Sequence, residues 1–122
     1  MKPFVLLFAL IVLPGAGLAQ DWALRADDRV LTRQEVLTLT EGSTLVFYDD
    51  GQSAYGPEGA YSYTYASGAA AFGAYEVGAD GTVCIAYRNG FGRCDRYVES
   101  RGRIVLLTER GERFPVRPPR VD

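Results

Sequence analysis

The sequence predicts an all-β domain: an antiparallel meander of about eight short strands that forms a curled sheet or a small barrel, with one short N-terminal helix. Three observations support this class. Runs rich in β-branched and aromatic residues recur at intervals of about ten residues, with turn signals between them. Connections this short permit antiparallel neighbours but not parallel crossovers. Hydrophobic residues make up 48% of the chain and charged residues 23%, which is typical of a folded globular domain.

The first twenty residues, MKPFVLLFALIVLPGAGLAQ, have the pattern of a cleaved secretion signal. A basic Lys2 precedes an apolar run, and small residues precede a cleavage site after Ala19. The alternative is an uncleaved membrane anchor, but the apolar run of about ten residues is well short of the roughly 20 that span a bilayer. We therefore expect a signal peptide at 1–19, a single all-β domain at 20–116 and an extended C-terminal tail at 117–122, with no membrane span after cleavage.

One segment has the pattern of a helix. Thr32 and Glu35 form a T-x-x-E capping box, in which each side chain satisfies a free backbone N–H of the first turn. Gly42 then supplies a stop signal. These signals predict a helix over roughly residues 33–40. The alternative is an extended stretch, because the valine and threonines of this segment favour strands.

The strands are predicted from residue 43 onward, each bounded by turn residues. Asp49-Asp50-Gly51 is a tight hairpin signal, and Pro115 indicates that the last strand is an edge strand or ends there. The predicted strands are STLVFY, QSAY, AYSYTYA, AAFGAYEV, TVCIAY, FGRCDRYVE, RIVLLT and ERFPV.

The two cysteines of the chain, Cys84 and Cys94, predict a structural disulfide. Export makes a disulfide the default, their spacing is too wide for a C-x-x-C redox motif, and a chain without histidine is poorly supplied with further metal ligands. A two-residue turn would point the two sulfurs to opposite faces of the hairpin. A three-residue loop of Arg88, Asn89 and Gly90, with the glycine in the left-handed region, brings the cysteines directly opposite each other. We expect that register, and neither a metal site nor a cofactor.

Three tyrosines alternate in AYSYTYA, so Tyr61, Tyr63 and Tyr65 lie on one face of a strand and form a candidate ligand or partner face. The alternative is that this face belongs to the core or to the inner wall of a barrel. The opposite face is small and polar, which favours tyrosines that point inward. If many of the eight tyrosines line one cavity, a ligand pocket is favoured.

No catalytic set is predicted. The chain has no histidine, and Asp49 and Asp50 lie in a turn where aspartates bond to the local backbone. The arginines of the second half alternate with acidic residues, and we expect Asp95 with Arg93 and Arg96 to form a surface charge network. Solvated strand faces of this kind, in an exported protein, argue against a nucleic-acid partner.

The segment GAYEVGADGTVCIAYRNGFGRCDRYVESRGRIVLL resembles a pattern found in small exported all-β, disulfide-containing proteins of unknown function from Gram-negative bacteria. The matching positions are Gly73, Tyr75, Gly81, Cys84, Arg93 and Cys94. The aromatic position is often tryptophan in that group, whereas this chain has tyrosine. The resemblance covers about half of the chain that follows the signal. It implies an all-β fold with a disulfide.

These patterns favour a non-enzymatic binding or interaction module, periplasmic or secreted, whose partner is an envelope protein or a small ligand. The alternatives are an enzyme that acts on envelope glycans through Asp49, Asp50 or Glu58, and a structural envelope protein. Two carboxylates across a cleft would favour the enzyme. An open cavity lined by aromatic residues would favour the ligand binder, and tyrosines filling a closed core would favour neither.

Overall fold

The structure is a computed structural model that describes residues 22–119. The predicted signal peptide (1–19) and the last residues of the predicted tail (120–122) lie outside the described residues. The elements in chain order are β1 (Asp28–Val30), α1 (Arg33–Thr40), β2 (Thr44–Val46), β3 (Gln52–Tyr55), β4 (Ala60–Thr64), β5 (Ala70–Val77), β6 (Val83–Tyr87), β7 (Gly92–Ser100), β8 (Arg103–Thr108) and β9 (Arg113–Pro115).

The strands β2 to β9 form the predicted antiparallel meander, in which each strand pairs with the next. The sheet curls into a half-barrel. Among the described residues, the two ends of the sheet are joined by one bridge, Phe47 with Val116, and by a hydrogen bond that Arg117 N donates to Val46 O at 2.7 Å. The predicted fold class is confirmed as a curled sheet, and over residues 22–119 the barrel is not closed.

The strand β1 was not predicted, and it extends the sheet beyond the meander. It pairs antiparallel with the second half of β7, where Asp28 faces Ser100 and Val30 faces Val98. The strand β6 pairs only with residues 92–95 of β7, so the rest of that edge is free to accept a strand from elsewhere in the chain. A run of only three residues carries no periodic signal that sequence analysis could detect.

The helix α1 is confirmed, with the predicted capping box at its start. Thr32 Oγ1 accepts a hydrogen bond from Glu35 N at 3.2 Å, and Glu35 Oε1 accepts one from Thr32 N at 2.9 Å. Val36 and Thr40 are buried. A helix of two turns is unstable alone, and this one is stabilised by packing its buried side chains over one end of the concave face of the sheet.

The two faces of the sheet carry separate hydrophobic clusters. The larger cluster fills the concave face beneath α1 and includes Tyr55, Tyr61 and Tyr97. The smaller cluster lies on the convex face, where Trp22 packs against buried side chains of β7 and β8. The N-terminal segment thus covers apolar surface that the curled sheet itself leaves outside.

The hairpin of β6 and β7 has the predicted register. Cys84 faces Cys94 with 4.0 Å between their Cα atoms, and the two form a disulfide. Gly90 adopts a φ of +95° and its N–H donates to Tyr87 O at 3.0 Å, which closes the three-residue loop. The bond indicates an oxidising, non-cytoplasmic location. Within residues 22–119, no helix has the length and apolar character that crossing a membrane requires.

Candidate functional site

An open cavity of about 630 Å³ lies on the concave side of the sheet, at strand ends that α1 does not reach. Its aromatic lining residues are Phe47, Tyr63, Tyr65 and Phe114. Its charged lining residues are Asp49, Arg93, Asp95, Glu109, Arg110 and Glu112. A concave site that combines aromatic surface with a few polar groups is the usual form of a ligand pocket.

The predicted tyrosine face is divided between the core and this cavity. Tyr61 is 3% exposed and belongs to the concave core. Tyr63 is partly buried and Tyr65 is 53% exposed, and both line the cavity. The two rings meet edge to face, with 5.0 Å between their centroids. The strand β4 therefore anchors its first tyrosine in the core and presents the next two to the open space.

An ion pair between a buried carboxylate and a partly exposed guanidinium forms part of the cavity wall. Arg93 Nε donates to Asp95 Oδ2 at 3.1 Å, and the Asp95 side chain is fully buried. The second oxygen, Asp95 Oδ1, has no hydrogen-bond partner among the described residues. The prediction of a surface charge network was wrong for Asp95, because strand alternation turns it inward. Arg96 lies on the convex face, over the ring of Trp22 at 5.7 Å.

The guanidinium of Arg93 is fixed on several sides. It lies 5.6 Å from the ring centroid of Tyr63 and 5.9 Å from that of Tyr87. Its NH2 group also donates to Tyr61 Oη at 3.1 Å. Although burial by itself would lower the pKa of Arg93, the nearby Asp95 carboxylate raises it above its ordinary value. Arg93 is thus a charged and pre-oriented group in the cavity wall.

The carboxyl group of Asp95 has a pKa above its ordinary value. Burial raises the pKa of Asp95 to about 6, even though the guanidinium of Arg93 opposes the shift, and the charge of Glu109 adds to it. A buried carboxylate loses its hydrogen bonds to water. The ion pair with Arg93 compensates for only part of this loss, because it leaves the second carboxylate oxygen without a hydrogen bond. Asp95 therefore changes charge in the mildly acidic range.

The tyrosine hydroxyls beneath the cavity form a buried polar network. Tyr55 Oη and Tyr97 Oη are 2.6 Å apart, and Ser53 Oγ lies 2.9 Å from Tyr61 Oη. Burial raises the pKa of all three tyrosines above its ordinary value, so these hydroxyls stay neutral. Since Tyr61 also accepts from Arg93, the network connects the core to the ion pair.

The carboxylates named for the enzyme alternative do not converge on one site. Asp49 lines the cavity, and its Oδ1 accepts from Gly51 N at 2.8 Å. Asp50 forms an ion pair with Arg117 at 2.8 Å, and Glu58 lies in a 3-10 turn before β4. Of these three predicted residues, only Asp49 contributes to the cavity.

Sequence analysis missed the acidic residues that line the same cavity with Asp49. Glu109 and Glu112 come from the turn between β8 and β9, and Asp95 from β7. One signal could have found Asp95: in FGRCDRYVE, alternation places Arg93 and Asp95 on the same face as Tyr97, whose size favours burial. Among residues 22–119, no group of three histidines, cysteines or acidic residues is arranged to hold a metal ion.

A second cavity, of about 940 Å³, runs along the seam of the half-barrel. Leu39 of α1, Leu45 of β2 and Ile104 of β8 line it, and Val116 passes through the seam to hydrogen-bond Ile104 O at 2.9 Å. The lining also includes Tyr48 and the guanidinium groups of Arg103 and Arg117, and it has no acidic residue. Of these two cavities, only the first combines aromatic rings with charged groups of both signs.

No protein-family model, curated protein or solved structure significantly matches this chain. The interpretation of the cavity therefore rests on its geometry and charges.

Proposed function

We propose that this protein is an exported, non-enzymatic binding module that takes a small ligand into the cavity on its concave face. One observation carries the proposal: the cavity combines exposed aromatic surface at Tyr65 with the fixed Arg93–Asp95 pair. Aromatic surface supplies affinity at low entropic cost, and a few oriented polar groups supply specificity. A purely structural protein has no need of such a space.

Binding can be tested by NMR with the exported form of the protein. Titration with a panel of envelope saccharides, peptides, amino acids and amines should shift the ring signals of Tyr63 and Tyr65. The variant Tyr65→Ala should lose binding by about five-fold or more, because it removes an exposed ring worth roughly 1 kcal/mol to a stacked ligand. It should retain its fold, since Tyr65 is 53% exposed.

The matched control is Tyr48→Ala. Tyr48 is 50% exposed and lies outside the cavity, so its removal should leave binding unchanged. Equal losses in both variants, or no shift of the Tyr63 and Tyr65 signals by any compound in the panel, would contradict the proposal.

A second candidate function is the carboxylate-dependent enzyme acting on envelope glycans. The observation in its favour is that Asp95, whose pKa burial raises to about 6, lines the same cavity as Asp49. A carboxyl group with such a pKa can donate a proton near neutral pH. Release of reducing sugar from envelope glycans by the wild-type protein, and its loss in Asp95→Asn with ligand binding retained, would favour the enzyme over the binding module.

The periplasmic or secreted location is part of the same proposal. It is supported by the signal-like pattern of residues 1–19 and by the disulfide of Cys84 and Cys94, which also fits the resemblance to exported proteins of Gram-negative bacteria. Mass spectrometry of the exported protein should give a chain that begins at Gln20 and is two hydrogen atoms lighter than the dithiol form. A chain that keeps the first 19 residues, or a free thiol in the folded protein, would overturn it.

A further inference from the structure

We propose that the ligand of the cavity carries a cationic ammonium or guanidinium group on an apolar stem. This inference rests on the proposed binding function and specifies the ligand class. Three features of the cavity support it: the charge of the lining, the unpaired oxygen of Asp95 and the exposed ring of Tyr65.

The charge of the cavity is the first support. The lining contains four carboxylates and two guanidiniums, which leaves an excess of negative charge. One guanidinium, that of Arg93, is already ion-paired with Asp95 at 3.1 Å. Asp49 and Glu112 remain on the lining as carboxylates without an ion pair to a described arginine or lysine. An excess of negative charge in a concave lining favours ligands of positive charge.

The unpaired oxygen of Asp95 is the second support. Asp95 is fully buried at the cavity wall, and its Oδ1 has no hydrogen-bond partner among the described residues. Arg93 donates to Oδ2 alone, and its NH2 group donates to Tyr61 Oη, so no hydrogen bond from Arg93 reaches Oδ1. A buried acceptor without a donor is costly, and a positive charge bound in the cavity would reduce that cost.

The aromatic lining favours a cation that can lie on a tyrosine ring and that has an apolar stem. The cavity already holds one arginine against an aromatic face, since Arg93 lies 5.6 Å from the ring centroid of Tyr63. The neighbouring ring of Tyr65 is 53% exposed, and no described arginine or lysine lies over it. A second cation can use that face, while its apolar stem packs on Phe47 and Phe114. An anionic ligand would find fewer partners and more repulsion.

The test compares two probes that differ in charge but hardly in shape. Both probes are used with an acetylated α-amino group, so that arginine amide carries a guanidinium as its only charge. Citrulline amide carries a neutral urea in its place and has no charge. Near neutral pH, arginine amide should shift the ring signals of Tyr63 and Tyr65 with an affinity about ten-fold higher than that of citrulline amide, and added salt should weaken it. A short peptide with a central arginine and blocked ends tests whether the cation comes from a peptide or from a free amine.

Charge-removing variants locate the effect. The double variant Asp49→Asn/Glu112→Gln should weaken the binding of arginine amide by about five-fold to ten-fold, because it removes two carboxylate charges from the lining. The binding of citrulline amide should stay unchanged, since that probe has no charge to attract. Both substitutions keep the acceptors that Gly51 N and Thr108 Oγ1 use. Glu76→Gln, on the exposed convex face of β5, should change neither affinity.

The outcomes separate this inference from the proposed function. Equal affinity of the two probes, or an unchanged affinity for arginine amide in the double variant, would overturn the inference. If a neutral saccharide shifts the Tyr63 and Tyr65 signals and arginine amide does not, the cavity still binds a ligand but the cationic class is wrong. If no compound shifts these signals, the inference and the proposed function both fail.

Discussion

Acidification from neutral pH to about pH 4.5 should raise the contribution of Asp95 to the free energy of unfolding by about 2 kcal/mol. Burial raises the pKa of Asp95 to about 6, above its ordinary value of 3.8. For a group shifted in this direction, the stabilisation is fully present below the unfolded-state pKa and is lost as the pH rises through the folded-state pKa. Thermal unfolding followed by circular dichroism should show a midpoint roughly 10 °C higher in mild acid.

Asp95→Asn isolates this effect from other titrations. The amide keeps an oxygen that can accept from Arg93 Nε but carries no charge, so the acid-induced rise attributed to Asp95 should disappear in this variant. The matched control is Asp49→Asn, which lines the same cavity and should keep the wild-type pH dependence. A rise of equal size in wild type and Asp95→Asn would show that the buried carboxylate is not its source.

Asp28 gives stability the opposite pH dependence to Asp95: its contribution to the free energy of unfolding falls on acidification. Its side chain is fully buried and accepts two hydrogen bonds from Arg113, at 2.8 and 2.9 Å. These bonds hold the pKa of Asp28 well below its usual range, so its stabilisation is lost only as the pH falls below about 4. The pH windows of Asp95 and Asp28 do not overlap, so the summed contribution of these two carboxyl groups to stability is largest in the mildly acidic range.

The parts of the fold that sequence analysis predicted are those fixed by short-range chemistry. The capping box of Thr32 and Glu35 determines where α1 begins, and the left-handed Gly90 determines the loop that pairs Cys84 with Cys94. These signals act over a few residues and do not depend on the rest of the chain. The same is true of the turn residues that separate the strands.

The features that sequence analysis missed depend on long-range contacts. The strand β1 pairs with the half of one edge of β7 that β6 leaves unpaired. The three residues Asp28–Val30 carry no sequence signal that this edge is available to them. The inward position of Asp95 depends on which face of the half-barrel is concave. In the sequence, only the alternation of Asp95 with Tyr97 indicates that face, whereas the neighbouring arginines Arg93 and Arg96 are typical of a charged surface. The cavity itself is the space left by four separate segments of the chain.

Replacing Trp22 with alanine should destabilise the protein by about 3 kcal/mol. Trp22 is 7% exposed and forms one cluster with Val98, Val105 and Leu107 on the convex face. Val30 and Cys94 also pack against this cluster. The substitution removes this burial and also the contact with the guanidinium of Arg96, which lies 5.7 Å from the Trp22 ring centroid. Urea unfolding should show a lower midpoint with little change in the slope.

The matched control is Leu24→Ala, in the same segment but 50% exposed, which should cost well under about 1 kcal/mol. Because Trp22 belongs to the convex cluster, Trp22→Ala should still bind ligands at Tyr63 and Tyr65 under conditions where it remains folded. Similar small losses in the two variants would mean that the segment before β1 does not stabilise the sheet. A large loss confined to Trp22 would show that this N-terminal segment completes the fold, since a half-barrel has two faces to bury and only one lies inside its curve.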